Sequence, residues 1–284
     1  MTDKPAAAAG TVALGGMLEV NRMGFGAMRL TGEGIWGEPR NVAAARSVLH
    51  RAIELGVNFI DTADSYGPEV SEQVIAEALY PYPDDLVIAT KGGMTRSGPG
   101  QWGRDARPER LKRACEGSLR RLRLERIDLY QLHTVDRDVP IEESLGALWE
   151  LRKEGKIRYA GVSNVSVDQL ERARGVVQVA SVQNRYSVGD RASDDVLERC
   201  EALGIAFIPW YPLGAGRLAE RGGPLDSIAE SHGATPSQIA LSWLLARSRR
   251  MLVIPGTSRL DHLEENVAAA EIELNEQEMG SLER

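Results

Sequence analysis

Short apolar runs alternate along this chain with longer segments whose apolar residues recur every three or four positions. Runs at 57–60, 86–90, 127–132, 159–162, 179–182, 205–209 and 252–254 have the length and content of buried strands, and 23–28 reads as an earlier one. Helical spacing covers 46–55, where Val48, Leu49, Ala52 and Ile53 share a face and Gly56 closes the segment. It returns at 69–79, 108–122, 141–153, 194–203, 239–246 and 260–270, with a further helix expected from Asn275. Ser166-Val-Asp-Gln169 and Thr235-Pro-Ser-Gln238 read as capping boxes, in which serine or threonine and glutamine satisfy orphan N–H groups reciprocally. Thr11 to Val20 alternates around Gly15-Gly16, a hairpin signal, and such a hairpin could plug the bottom of the strand-and-helix body downstream of it.

Eight strand-and-helix units in about 250 residues predict an α/β fold, a closed (β/α)8 TIM barrel with an N-terminal β-hairpin. The rival is a doubly wound open sheet, which normally carries a glycine-rich dinucleotide turn opening a helix after its first strand. Here Gly24-Phe-Gly26-Ala-Met-Arg29 lacks the third glycine, and glycines and a proline follow instead of a helix. The expected organisation is a flexible tail over residues 1–10 and one barrel domain over 11–284.

Composition narrows the class. At 284 residues with a formal charge of −7 and both signs interspersed, nothing favours a nucleic-acid or membrane partner. Cys115 and Cys200 have no metal or redox spacing, and no apolar stretch approaches a membrane span or a signal peptide, so a cytoplasmic protein is expected. No His-x-x-x-His or clustered carboxylate spacing suggests a metal. Nothing in the pattern sets an oligomeric state.

The candidate chemistry sits where strands end. Asp61 follows the run 57–60, Lys91 follows 86–90, His133 follows 127–132, Ser163 and Asn164 follow 159–162, Gln183 follows 179–182, and Tyr66 lies on the loop after Asp61. Charge where a buried strand meets its loop is costly unless paired or used. Singly, each has a bland reading. Tyr66 could pack, Lys91 could be a solvated loop charge, His133 could hydrogen-bond within the barrel top, and Asp61 could cap its own loop. Together they form an acid system. An ammonium beside a phenol lowers its pKa from the usual ~10, a carboxylate keeps that ammonium charged, and a neutral histidine can donate to a substrate oxygen.

The combination resembles the aldo-keto reductase family over about residues 23–266, and within it a bacterial branch that includes pyridoxal reductases. Phe59-Ile-Asp61-Thr-Ala-Asp-Ser-Tyr66-Gly67 is similar to the family's first signature. Ala-Thr-Lys91, Asp-Leu-Tyr-Gln-Leu-His133 and Gly-Val-Ser163-Asn164 fall at its other motifs. The branch likeness rests on Glu77 to Leu86 and Gly34-Ile-Trp-Gly37. The resemblance implies reduction of an aldehyde or ketone by hydride transfer from NADPH, with pyridoxal and aromatic aldehydes as candidate substrates. Tyr66 would be the general acid, Lys91 and Asp61 its tuners, and His133 the substrate orienter.

It further implies an extended cofactor across the barrel mouth. Gly26, Ala27 and Met28 would line it, Ser163, Asn164 and Gln183 would hold the carboxamide, and Trp210 would stack on the nicotinamide. Leu213, Gly214 and Gly216 would meet the pyrophosphate, and Glu265 and Asn266 the adenine. Where the family commonly has a lysine and an arginine gripping the 2′-phosphate, this chain has Gly256 and His262, with Thr257, Ser258 and Arg259 remaining. NADPH over NADH is the expectation that Arg259 supports. Trp36 and Trp102, on loops after the first and third strands, would wall the substrate pocket, or merely pin their loops. Only 18 residues follow Asn266, so an open, permissive pocket is expected. Two other readings stay open: a lyase using Lys91 as a Schiff base, and a non-catalytic NADP-binding regulatory protein on the same barrel.

Overall fold

The computed structural model of the protein describes residues 4–213 and 224–283. Its strands are β1 (Thr11–Leu14), β2 (Leu18–Asn21), β3 (Phe25–Gly26), β4 (Phe59–Asp61), β5 (Val87–Gly92), β6 (Met94–Gly98), β7 (Gln101–Arg104), β8 (Ile127–Leu132), β9 (Ile157–Ser163), β10 (Val179–Arg185) and β11 (Ala206–Trp210). The helices are α1 (Val42–Glu54), α2 (Val70–Leu79), α3 (Pro108–Leu122), α4 (Ile141–Lys153), α5 (Val167–Arg174), α6 (Asp194–Leu203), α7 (Pro224–His232), α8 (Pro236–Arg247), α9 (Leu260–Ala268) and α10 (Glu276–Leu282). None of the helices among the described residues is long and apolar enough to cross a membrane.

Seven strands pair in parallel in the order β11-β10-β9-β8-β5-β4-β3. The segment expected as a last strand at 252–254 bridges the two edges. Met251 pairs with Phe207 and Val253 with Met23, both in parallel, with Leu252 N–H on Phe207 O at 2.9 Å and Gly24 N–H on Val253 O at 2.8 Å. The sheet therefore closes into a (β/α)8 barrel.

Local chemistry explains the element ends. Asn41 caps α1 through its side chain on Ala44 N–H, and Gly56 follows the helix at φ +87°. Both expected capping boxes form, at Ser166/Gln169 and Thr235/Gln238, and Asn275 with Glu278 makes a third that opens α10. The hairpin β1–β2 plugs the barrel. Val12, Leu14 and Val20 pack with Phe59, Val87, Leu129 and Tyr159 from inside the ring. Gly15 turns that hairpin at φ +57°, where a Cβ would lie 2.2 Å from the Tyr159 ring, so no other residue fits. A second, larger apolar cluster fills the shell between sheet and helices.

Three expectations are corrected. Residues 5–9 are not a frayed tail: Pro5–Ala9 forms a 3-10 turn with Pro5, Ala6 and Ala9 buried, and Ala6 N–H bonds Leu55 O at 3.1 Å. Small side chains without long apolar groups can still fill a seam, which periodicity does not register. The first strand is only Phe25–Gly26, because residues 27–30 turn into a 3-10 helix. The loop expected after the third strand, which carries Trp102, is an antiparallel hairpin, β6–β7, whose polar residues give no alternation of apolar character.

Behind the sheet, the shell also buries carboxylates. Glu72 is matched: Thr90 Oγ1 and Arg121 Nε each donate to it at 2.6 Å. Asp64 is not. Its Oδ1 is buried without a hydrogen-bond partner among the described residues. Burial, with Glu72 adding and Arg110 and Arg121 opposing, pushes its pKa up from 3.8 to about 7. A carboxyl that binds its proton more tightly folded than unfolded stabilises the fold fully below about pH 4. That stabilisation is lost as pH rises through about 7, a term of order 4 kcal/mol. Urea denaturation of Asp64→Asn should therefore show a smaller loss of stability between pH 5 and pH 8 than the parent. Parallel curves for the two proteins would mean that Asp64 is ionised throughout.

Candidate active site

Side chains two apart on a strand share a face, so the strands that line the plug also aim the next inward residue at the barrel mouth. Phe59 leads to Asp61, Val87 and Ala89 to Lys91, Leu129 and Gln131 to His133, Tyr159 and Gly161 to Ser163, and Ala206 and Ile208 to Trp210. Apolar residues occupy the lower layers and polar ones the upper. The barrel's register thus gathers residues that are far apart in sequence.

Lys91 Nζ lies 2.6 Å from Asp61 Oδ2, 2.8 Å from Thr62 O and 3.4 Å from the Tyr66 hydroxyl. The ammonium is fully buried and the carboxylate nearly so. Asp61 Oδ1 accepts from Gln183 Nε2 at 2.9 Å and Gln131 Nε2 at 3.2 Å, and Ser181 Oγ donates to Gln131 Oε1 at 3.3 Å. Gly161 leaves room for this polar layer, since a Cβ there would meet Ser181 Oγ at 2.3 Å and Gln131 Cγ at 2.9 Å. His133 packs edge-on to Tyr66 with ring centroids 5.7 Å apart. Tyr66, Asp61, Lys91 and His133 are therefore brought together.

Their protonation states follow from burial and neighbours. Burial works against the Lys91 ammonium, yet Asp61 and Tyr66 outweigh it and its pKa is raised, so the amine is protonated and not a free nucleophile. Burial, with Lys91 adding, pushes His133 well below the usual histidine value, so its ring is neutral. For Tyr66 the expected direction is reversed. Burial raises the phenol's pKa more than Lys91 lowers it, and at neutral pH the hydroxyl keeps its proton.

Asp61, Tyr66 and His133 line one cleft of about 430 Å³, with Lys91 buried behind them, and the cleft runs from Trp102 past Ser163, Asn164, Gln183 and Trp210 to Leu213, Met28, Gly26 and Gly256. Asn164 sits at the end of β9 with φ +59°, an uncommon conformation for a residue other than glycine. Its amide bonds His133 O and Ser163 Oγ, both at 3.1 Å, and its Oδ1 accepts from Trp210 Nε1 at 2.9 Å. That set fixes the indole against the mouth. Ser163 Oγ donates to Gln183 O at 2.7 Å, and Gln183 Oε1 remains as an acceptor. Gly26 is held close to the eighth segment: a Cβ on it would lie 2.7 Å from Ile254 O, and one on Gly256 2.5 Å from Gly26 O. Ala27 is buried beneath this end, and its carbonyl accepts from Ser71 Oγ at 3.2 Å.

Beyond the cleft, Thr257 is buried and its hydroxyl accepts from Arg259 N–H at 3.1 Å. Ser258, Arg259, His262 and Glu265 are exposed, and Asn266 is buried. The Arg259 guanidinium is bound by Asp261, through Nε at 3.0 Å and a second contact from Nη2. Gly214 and Gly216 lie outside the described residues.

The substrate side needs one correction. Trp102 lines the cleft, edge-on to Tyr66 at 6.5 Å. Trp36 does not; it covers Arg96 at 5.7 Å. Arg96 is wholly engaged by the backbone. Its five N–H donors all go to backbone carbonyls, of Gly34, Ile35, Ser65, Gly98 and Gln101, at 2.7–3.3 Å. Its plane also lies 3.8 Å from the Trp102 ring centre. It ties three loops together and has nothing left for a substrate carboxylate. Gln131 and Ser65 are further groups in the site that the strand-end rule passes over. Gln131 had a usable signal, as a polar residue at an inward position of a buried strand.

The profile of the Aldo/keto reductase family matches residues 22–284. An uncharacterized oxidoreductase of Schizosaccharomyces pombe is 51% identical over 278 residues, covering 98% of this chain and 90% of that protein. The pyridoxine 4-dehydrogenase of Escherichia coli is 42% identical over 274 residues, covering 94% and 96%. The crystal structure of a Klebsiella pneumoniae aldo-keto reductase in complex with NADPH superposes with a TM-score of 0.79 at 29% identity, over 99% of this chain and 94% of that one. With a barrel of the same build and a match over nearly its whole length, the chain belongs to the aldo/keto reductase family.

Proposed function

We propose that this protein is an NADPH-dependent reductase of aldehydes or ketones, with Tyr66 as the acid that protonates the carbonyl oxygen. The reading rests on one observation. Lys91 Nζ contacts both Asp61 Oδ2 and the Tyr66 hydroxyl at the wall of a largely apolar cleft. Nicotinamide, when bound, supplies the hydride for the carbonyl carbon. Tyr66 holds its proton until oxygen needs it, and the phenolate left behind faces an ammonium that cannot leave its carboxylate. Neutral His133 donates to the same oxygen and sets its direction. A distance of 3.4 Å between amine and phenol suits a site that tightens when substrate is bound.

The cofactor residues fit this use. Trp210 is fixed by Asn164 at the cleft, an indole suits a flat ring, and Gln183 Oε1 can accept from a carboxamide N–H. Arg259 is a cation at the distal end, but Asp261 competes for it, which makes the preference for a 2′-phosphate modest. The Escherichia coli relative's name and the Trp102 wall favour a planar aromatic carbonyl such as a pyridine aldehyde. We place this activity in a single barrel domain in the cytoplasm.

Tyr66→Phe should lower kcat by about 10² or more while NADPH binding, followed by fluorescence titration, stays nearly intact. An unchanged kcat would end the acid assignment. For the reducing direction, kcat should stay level through neutral pH and fall only above the ordinary phenol value, since the Tyr66 pKa is raised and loss of its proton is what stops turnover. Comparison of kcat/KM for the two cofactors should favour NADPH, and Arg259→Ala should weaken NADPH about tenfold without changing NADH. Equal or reversed values in the parent enzyme would overturn the cofactor choice. In a panel of carbonyls, Trp102→Ala should raise KM for aromatic aldehydes more than for short aliphatic ones; a uniform change would remove Trp102 from substrate recognition.

A further inference from the structure

A neutral imidazole has one donor and one acceptor, so its tautomer decides what it can offer a ligand. His133 Nδ1 lies 3.3 Å from Ser65 Oγ, and both side chains are buried. The ring lines the cleft, and Nε2 has no hydrogen-bond partner among the described residues. Nδ1 is likewise the one acceptor within reach of the Ser65 hydroxyl among the described residues.

Two arrangements satisfy the distance, and they are not equivalent. If Nδ1–H donated to Ser65, the hydroxyl proton would be buried with no acceptor, which is unfavourable. Nε2 would then show a lone pair to the cleft and repel a carbonyl oxygen. If Ser65 donates to Nδ1, the hydroxyl proton is satisfied and Nε2 carries its hydrogen toward the cleft. Ser65 is itself held, because its carbonyl accepts from Arg96 at 3.2 Å on the loop that leads to Tyr66.

We infer that Ser65 is a positioning residue, which locks His133 as the Nε2–H tautomer and thereby presents a hydrogen-bond donor to a carbonyl oxygen in the cleft. The tautomer follows from the hydrogen bonds alone; its use in turnover rests on the reductase reading above. Ser65 does not line the cleft and acts through the ring.

The test is nitrogen NMR of the full chain labelled at histidine, at a pH where the ring is neutral. His133 is assigned by the signals lost in His133→Gln. The expected result is a single Nε2–H tautomer, replaced in Ser65→Ala by an averaged pattern, with kcat/KM about tenfold lower and the NADPH Kd unchanged. Ser65→Thr should restore both the tautomer and the rate. An Nδ1–H ring in the parent protein, or the same tautomer in parent and Ser65→Ala, overturns the inference. The parent spectrum decides the matter even if Ser65→Ala does not fold. If the ring is Nε2–H and depends on Ser65, yet His133→Gln turns over normally, the catalytic use of His133 fails while control of the ring by Ser65 stands.

Discussion

The site depends on an ion pair placed where ion pairs are hard to keep. Lys91 and Asp61 are almost wholly removed from water, and each ion alone would lose several kcal/mol of hydration. The pair persists because both ions are closely hydrogen-bonded. The ammonium has Asp61, the Thr62 carbonyl and the phenol; the carboxylate has the ammonium and two glutamine amides. Replacing the pair with apolar groups could leave the fold as stable, so its retention points to chemistry more than to stability. Desolvation also gives the pair its effect on the phenol, since a charge in a dry site acts more strongly than one in water.

The barrel supplies the surroundings cheaply. Strands β4, β5, β8, β9 and β11 contribute their inward residues in the same vertical order, so one geometric rule places an apolar floor, a polar middle and a reactive rim. The floor is completed by a hairpin that lies outside the repeating units, and this keeps water from reaching the pair from below. Gly161 shows how narrow the tolerances are, since a single methyl there would displace the Ser181–Gln131 link that steadies Asp61.

Much of this was legible in the residue pattern, and the exceptions have causes. Strands read well where both faces are buried: 127–132 coincides with β8, and 108–122, 141–153 and 194–203 coincide with α3, α4 and α6. Where sequence reasoning fell short, the stabilising contacts were not apolar or not local. Pro5–Ala9 packs with small residues, β6–β7 is held by a cation and backbone carbonyls, and the eighth strand is shortened to bridges. Within the site, strand-end positions were readable because polar residues there interrupt apolar runs. Ser65 was not, because a serine on a polar loop carries no signal until the fold puts a histidine beside it. The direction of the Tyr66 shift was also misjudged, since counting neighbouring charges says nothing of how dry the phenol is.

Arg96 carries an implication for how such a pocket changes over time. One guanidinium, near two tryptophans and saturated by five carbonyls, welds the segments around residues 34, 65 and 98 into a single rim. New selectivity cannot then arise by altering one of those segments freely, because any change in its course must still deliver a carbonyl to the same cation. Trp102 is the freer element, anchored from behind but open toward the cavity, so a change there reshapes the binding surface and leaves the five carbonyl bonds in place.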